Sequence, residues 1–295
     1  MKSRNETGSL QKMRIGFYGA GRVGCTLGTY FLRHGLKVTG FYNRTPERAE
    51  EAAEWTGTLH YETPERLVME NDVLFLTVSD QAISSVLNDL RRNDLLAEAL
   101  KGRLLVHTSG ALSSEVFVGT GAYGYSIHPL YAVSDRKNTY QTLGQAFFTV
   151  EGDPVFLDEW ITLLHGMGLR ARSISAKEKV RYHASAVMAS NLVCGLYQAA
   201  AEELILCGFT EEEAEGALAG LFLDNAKGIA EKGVARQLTG PLERGDTETV
   251  RKHLAILEGN AEEVYMTLSR EVLRVAKEKN PERDYGEICQ ILDRK

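Results

Sequence analysis

The sequence predicts an α/β protein: an N-terminal parallel sheet over residues 13–174, followed by an all-helical C-terminal domain over residues 175–295. Three observations carry this. Short apolar runs rich in β-branched and aromatic residues alternate with helix-length segments through the first half, the signature of βαβ units. A glycine-rich turn separates the first of these runs from the first helical segment. From about Ala176 the strand signals stop, and Ala/Glu/Leu/Lys-rich periodic segments continue to the end.

The strands are read in order from residues 13–19 (MRIGFYG), 37–43 (KVTGFYN), 72–78 (DVLFLTV), 103–109 (RLLVHTS), 123–129 (YGYSIHP) and 145–152 (QAFFTVEG). Two helix entrances share one tetrapeptide, Thr45-Pro46-Glu47-Arg48 and Thr63-Pro64-Glu65-Arg66. Threonine accepts a hydrogen bond as N-cap, proline is pre-set at the first helical position, and glutamate favours the positive helix end. These are caps and not an internal repeat. No Pro/Gly/Ser-rich linker parts the halves, so a long helix beginning near Ser175 is expected to join them.

Composition excludes several classes. With 295 residues, 43% hydrophobic and 25% charged, the chain can bury a sizeable core without disulfides. A net charge of −6, most of it in the second half, argues against a nucleic-acid partner. No run of about 18 apolar residues occurs, and residues 1–12 lack an apolar leader segment. Cys25, Cys194, Cys207 and Cys289 form no CxxC pair, which suits a reducing compartment and predicts no metal knuckle. A cytoplasmic protein with no membrane partner is expected.

Gly19-Ala20-Gly21-Arg22-Val23-Gly24 matches G-x-G-x-x-G between a strand and a helix. Gly19 permits the tight turn, Gly21 lets the backbone approach a pyrophosphate, and Gly24 allows close packing of helix on strand. The helix N-terminus then faces the phosphates. The N-terminal half is therefore a Rossmann-type domain. After the second strand the chain reads Asn43-Arg44-Thr45, with no carboxylate for a ribose 2′-hydroxyl. Arg44, with Asn43 and Thr45 as neutral donors and Arg22 as a second cation, suits a 2′-phosphate and predicts NADP(H). The ends of later strands, Thr77-Val78-Ser79-Asp80, Thr108-Ser109-Gly110 and His128-Pro129, are expected to line the nicotinamide pocket, or to serve as helix caps.

Two further constellations follow. On a continuous helix His183, Val187, Ser190, Asn191 and Cys194 share one face, with Lys179 one turn before His183. Histidine for proton transfer and asparagine for orienting a carbonyl make this a substrate wall, the alternative being a helix–helix hydrogen-bond network. Tyr182 points elsewhere. The stretch 238–246 (LTGPLERGD) reads as a shaped inter-helix loop, with Arg244 available to a carboxylate and Asp246 or Thr247 capping the next helix.

Together GAGRVG (19–24), SIHPL (126–130), YHASAVMASN (182–191) and LTGPLERGD (238–246) resemble a group of Rossmann-like bacterial proteins whose C-terminal domain is labelled of unknown function. More distantly the chain is similar to pyrroline-5-carboxylate reductase, ketopantoate reductase, deazaflavin-dependent NADP reductases and β-hydroxyacid dehydrogenases, over residues 13–293. The resemblance implies hydride transfer between NADP(H) and a C=O or C=N carbon of a small carboxylate-bearing substrate, with ketopantoate as the most concrete guess. Pyrroline or imine reduction is one alternative. A non-catalytic NADP-sensing protein is another. The dehydrogenase pattern places a catalytic lysine one turn before an asparagine, whereas Asn191 here has Val187 there and His183 two turns earlier. His183, or else Lys179 or His128, is then the proton donor, Ser190 and Asn191 orient the substrate, and Arg244 holds its carboxylate. A homodimer through the helical domain is also implied, in keeping with its Ala/Leu-rich faces.

Overall fold

In the computed structural model, residues 10–293 are described. The sequence-based reading that residues 1–12 carry no leader therefore falls largely outside the described residues. The chain divides into two units, at residues 186 and 187.

The first unit is built on an eight-stranded sheet. Its strands are β1 (Arg14–Tyr18), β2 (Lys37–Tyr42), β3 (Leu59–His60), β4 (Val73–Leu76), β5 (Leu104–His107), β6 (Tyr123–Leu130), β7 (Phe147–Gly152) and β8 (Arg170–Ser173). All six expected strands are present, and their spatial order is β3-β2-β1-β4-β5-β6-β7-β8. The order reverses between β1 and β4, which is the topological switch point where open α/β sheets bind ligands. One expectation is corrected. β7 pairs with β6 antiparallel, from Tyr125↔Gly152 to Leu130↔Phe147, so the sheet is not wholly parallel. β8 then returns parallel to β7.

The period of two along each strand distributes side chains to two cores. Phe17, Phe75 and Val106 enter one, with α1 (Arg22–Arg33), α2 (Pro46–Thr56) and α6 (Leu157–Gly166) packed over them through Phe31, Ala49, Ala52 and Trp160. Tyr18, Leu74, Leu76 and Leu105 enter the other, beneath α3 (Pro64–Glu70), α4 (Asp80–Arg92) and α5 (Asp94–Leu100) through Leu67, Ile83, Leu87, Leu96 and Leu100. Each such fully buried side chain contributes about 1.5–3 kcal/mol. Of the twin Thr-Pro-Glu-Arg entrances, Thr63 caps α3 by accepting from the Arg66 amide at 3.3 Å, whereas Thr45 makes no side-chain cap bond at α2.

The expected long joining helix is broken. A capping box of Ser175 and Glu178 starts a single 3-10 turn, α7 runs Lys179–Met188, and the chain then leaves helical geometry. Ser190 (φ −131°, ψ −80°) is the N-cap of a new helix, α8 (Asn191–Leu206).

The second unit continues with α9 (Glu211–Lys232), α10 (Val234–Gln237), α11 (Pro241–Arg244), α12 (Thr247–Leu254), α13 (Gly259–Lys279) and α14 (Gly286–Leu292). No strand occurs there among the described residues. Its core gathers Val250, Leu273, Ala276, Tyr285, Ile288, Ile291 and Leu292. No described helix is long and apolar enough to cross a membrane.

Candidate active site

The site is built along the C-terminal edge of the sheet. Register places Tyr42, Tyr18, Leu76, His107 and Ser126 in one row across β2, β1, β4, β5 and β6. At about 4.8 Å per strand, the loops after β1, β4 and β5 and the end of β6 stand side by side.

The glycine turn follows Tyr18. Gly19 has φ 121°, and its amide donates to the Tyr42 carbonyl at 2.7 Å. A Cβ on Gly24 would lie 2.3 Å from the Gly19 carbonyl oxygen and 2.5 Å from Thr77 Oγ1, so only glycine lets α1 pack this closely on the turn. Gly21 differs. The nearest atom to a Cβ there would be the Thr77 carbonyl oxygen, at 3.9 Å. Nothing in the protein demands a bare backbone at Gly21, while the N-cap of α1 at that residue carries no side-chain bond. An open helix N-terminus fronted by an uncrowded glycine fits a dinucleotide pyrophosphate, and Ala20, Arg22 and Val23 complete the turn.

The residues read as lining the nucleotide fall into two sets. Arg44 and Arg22 have exposed side chains at the start of α2 and α1. Asn43 is engaged: its Oδ1 accepts from the Ala20 amide at 3.2 Å and its Nδ2 donates to the Thr45 carbonyl at 3.0 Å, tying the glycine turn to the entrance of α2. Thr77 is likewise engaged, donating from Oγ1 to the Gly19 carbonyl at 2.7 Å. Val78 and Thr108 are half-buried, and Ser79 is the exposed N-cap of α4.

A denser cluster stands after β5 and β6. Ser109 Oγ donates to Asp80 Oδ2 at 2.6 Å and accepts from the amides of Ala111 and Leu112. The Ser109 amide donates to His107 Nδ1 at 3.2 Å. Its carbonyl accepts from Ser126 Oγ at 3.1 Å and from Lys179 Nζ at 2.7 Å, and Lys179 also bonds to Ser126 Oγ. Lys179 is only 1% exposed, and burial draws its pKa down to about 8. His128 Nδ1 and the Tyr182 hydroxyl are hydrogen-bonded at 2.8 Å. Burial, reinforced by the Lys179 charge and the His183 and His107 rings, lowers His128 to about 4, so it is a neutral imidazole at physiological pH. His183 meets His128 edge to face at 6.4 Å between ring centroids, and its Nδ1 is buried with no partner.

The structure thus brings Ser109, His128, Lys179 and His183 together within one unit. Ser190, Asn191 and Arg244 lie in the second unit. The break at Ser190 ends the helix face that carries His183, so Ser190, Asn191 and Cys194 do not continue it, contrary to the continuous-helix expectation. Ser190 Oγ donates to Asn191 Oδ1 at 3.1 Å. Arg244 ends α11, exposed, in what the sequence reads as loop, and Asp246 caps α12 through the Thr249 amide at 3.0 Å, as expected. Sequence reasoning missed Ser126 and set Tyr182 aside, and it named Asp80 and Gly110 only as the last residues of two strand ends. Ser126 was findable, because it stands two residues before His128 on the same strand face. Among the described residues no three His, Cys, Asp or Glu side chains converge to hold a metal.

The strand order and the glycine turn define a dinucleotide-binding domain. Residues 14–109 match the family described as NADP oxidoreductase coenzyme F420-dependent, and residues 146–272 match a domain of unknown function, DUF2520. The chain is thus similar to an NADP-oxidoreductase domain over its first third and to a domain of unknown function over most of its second half. Protein TM1727 from Thermotoga maritima is 28% identical, with a TM-score of 0.69 over 90% of this chain and 99% of that one. A pyrroline-5-carboxylate reductase from Coxiella burnetii shares the fold at 18% identity (TM-score 0.57; 92% and 99% covered). So does an imine reductase from Myxococcus stipitatus in complex with NADP+, at 17% (TM-score 0.58; 93% and 96%). No curated protein matches the chain.

Proposed function

We propose that the protein reduces a C=O or C=N bond of a small carboxylate-bearing molecule with NADPH. Residues 13–174 hold the nucleotide and residues 175–295 supply the substrate wall and a self-association face. The observation that carries the reading is His183 Nδ1, buried without a partner beside the neutral His128 at the sheet edge. A polar atom left unsatisfied costs about 1–3 kcal/mol, which a substrate heteroatom would repay.

NADPH, when bound, supplies the hydride; the chain handles the proton and the charge. His183 protonates the developing oxyanion or amine, with His128 as a neutral donor held by Tyr182. Lys179, held by Ser109 and Ser126, supplies a buried cation to the floor of the site, with the charges of Glu151 and Asp80 acting on it. An orienting role for Ser190 and Asn191 and a carboxylate-binding role for the exposed guanidinium of Arg244 rest on the sequence reading alone. Ketopantoate is the 2-oxo acid the sequence resemblance favours. A cyclic imine is the second reading, supported by the fold shared with pyrroline-5-carboxylate and imine reductases.

Self-association rests on the second unit's surface. Leu206, Leu221 and Ile256 are 80%, 72% and 73% exposed, and α8 and α9 together bury only Ala199, Ala201, Ala214 and Gly228. Large apolar side chains exposed together in this way mark a surface that packs on another. Four free thiols accord with a cytoplasmic setting.

The test is NADPH oxidation with a panel of 2-oxo acids and cyclic imines, for wild type and His183→Ala. Loss of about 10²–10⁴ in kcat/KM in the variant is expected. Activity within a few-fold of wild type sinks the role of His183; tight NADPH binding with no turnover on any panel member sinks the catalytic reading. Sedimentation equilibrium should give the mass of two chains.

A further inference from the structure

Gly110 is buried between the end of β5 and α7, and its backbone gives no reason for glycine: its φ is not positive, so any residue could adopt it. The reason lies in what surrounds it. A Cβ built on Gly110 would stand 2.7 Å from His183 Nδ1, 3.0 Å from His128 Nε2 and 3.1 Å from His128 Cε1. The first of these is closer than real Cβ contacts come, and all three are to the two imidazoles of the site. The two rings are held unequally, and His183, whose Nδ1 has no hydrogen bond among the described residues, is the one that must give way. His128 is held by Tyr182 at 2.8 Å, and the helix bearing His183 is anchored one turn earlier by Lys179 on Ser109, the residue before Gly110.

We propose that Gly110 is a positioning residue: the absent side chain lets His183 Nδ1 and His128 Nε2 both pack against the main chain there, which sets the spacing of a two-histidine seat for the substrate. This rests on the reductase reading given above and adds the element that sets the spacing of its two imidazoles. Any side chain at position 110 forces His183 away from His128, and displacement by about 1 Å costs roughly 10²-fold in rate.

The experiment compares Gly110→Ala with wild type by NADPH titration, by the imidazole nitrogen resonances of His128 and His183 across pH, and by kcat and KM on the best substrate of the panel. Expected are an unchanged NADPH affinity, shifted resonances for both rings, and a loss of about 10²-fold borne by kcat. A second comparison guards against a merely damaged fold: Gly110→Ala is made again in the His183→Ala background, where most of its effect on residual rate and melting temperature should vanish. Unmoved ring resonances, or a penalty equally large without His183, overturn the inference whatever the substrate is. Shifted resonances with no turnover by wild type on any panel member would sink the reductase reading, and with it the role of the seat in catalysis, while leaving the steric part standing.

Discussion

Lys179 donates from its ammonium to the main-chain carbonyl of Ser109 at 2.7 Å, a bond between residues 70 apart in the chain. It fixes the first turn of α7 against the loop after β5, and so fixes where His183 stands. Lys179→Met keeps the stem but leaves the Ser109 carbonyl and Ser126 short of a donor, at about 1–3 kcal/mol, partly offset by removing a buried charge. Lower kcat/KM with retained NADPH binding is expected; wild-type kinetics would refute the anchoring role. Because burial lowers this ammonium to about 8 and the unfolded chain holds the proton to about 10.4, the unfolded state binds more protons between those values. Stability should therefore gain with pH from 8 to 10 in wild type, and denaturant titrations of the methionine variant should lack that gain.

The buried histidines predict acid lability. Burial lowers both His107 and His128 to about 4, against about 6.5 in the unfolded chain. As pH falls through that interval the unfolded state takes up protons that the folded state refuses, so stability drops from pH 6.5 to 4 and levels off below. The loss is on the order of 3 kcal/mol per ring. His107→Asn should flatten part of this limb in melting curves recorded across pH, and an unchanged slope would contradict the assignment.

The glycines of the turn should separate folding from binding. Gly24→Ala drives a methyl to 2.3 Å from the Gly19 carbonyl oxygen, and a loss of about 1–3 kcal/mol is expected. Gly21→Ala meets only an atom at 3.9 Å, so its melting temperature should stay near wild type while NADPH binding is lost to the methyl now standing where phosphate would approach. Equal nucleotide affinity for Gly21→Ala and wild type would refute that placement.

Arg44 is exposed at the end of β2, where no carboxylate stands. Charge-assisted hydrogen bonds are worth about 1.5–3 kcal/mol, so Arg44→Asp should weaken NADPH by roughly 10- to 100-fold and spare NADH. Calorimetric titration with both nucleotides reads this directly, and a preference that survives the substitution moves the 2′-phosphate elsewhere.

Six strands and the glycine turn were legible because apolar runs and G-x-G-x-x-G are local signals. β3 escaped by being two residues long, and β8 because Arg170-Ala171-Arg172-Ser173 has no apolar face. The direction of β7 was hidden, since the run Phe147–Val150 reads as a buried strand either way along the sheet. The break at Ser190 carries no proline or glycine to announce it. Within the site, His183 and Lys179 were legible as helix spacing and Ser109 as a strand end, whereas the bonds that tie Ser109 and Ser126 to Lys179 join residues more than 50 apart and leave no local signal.

The two margins of the sheet are the strands that sequence missed, and their poverty has a use. An unpaired strand invites a neighbour's backbone, and the invitation grows with its length and greasiness. β3 offers two residues and β8 four, with the Arg170 and Arg172 side chains of β8 repelling a copy of themselves. The sheet therefore presents no long apolar margin onto which the strand of another copy could add.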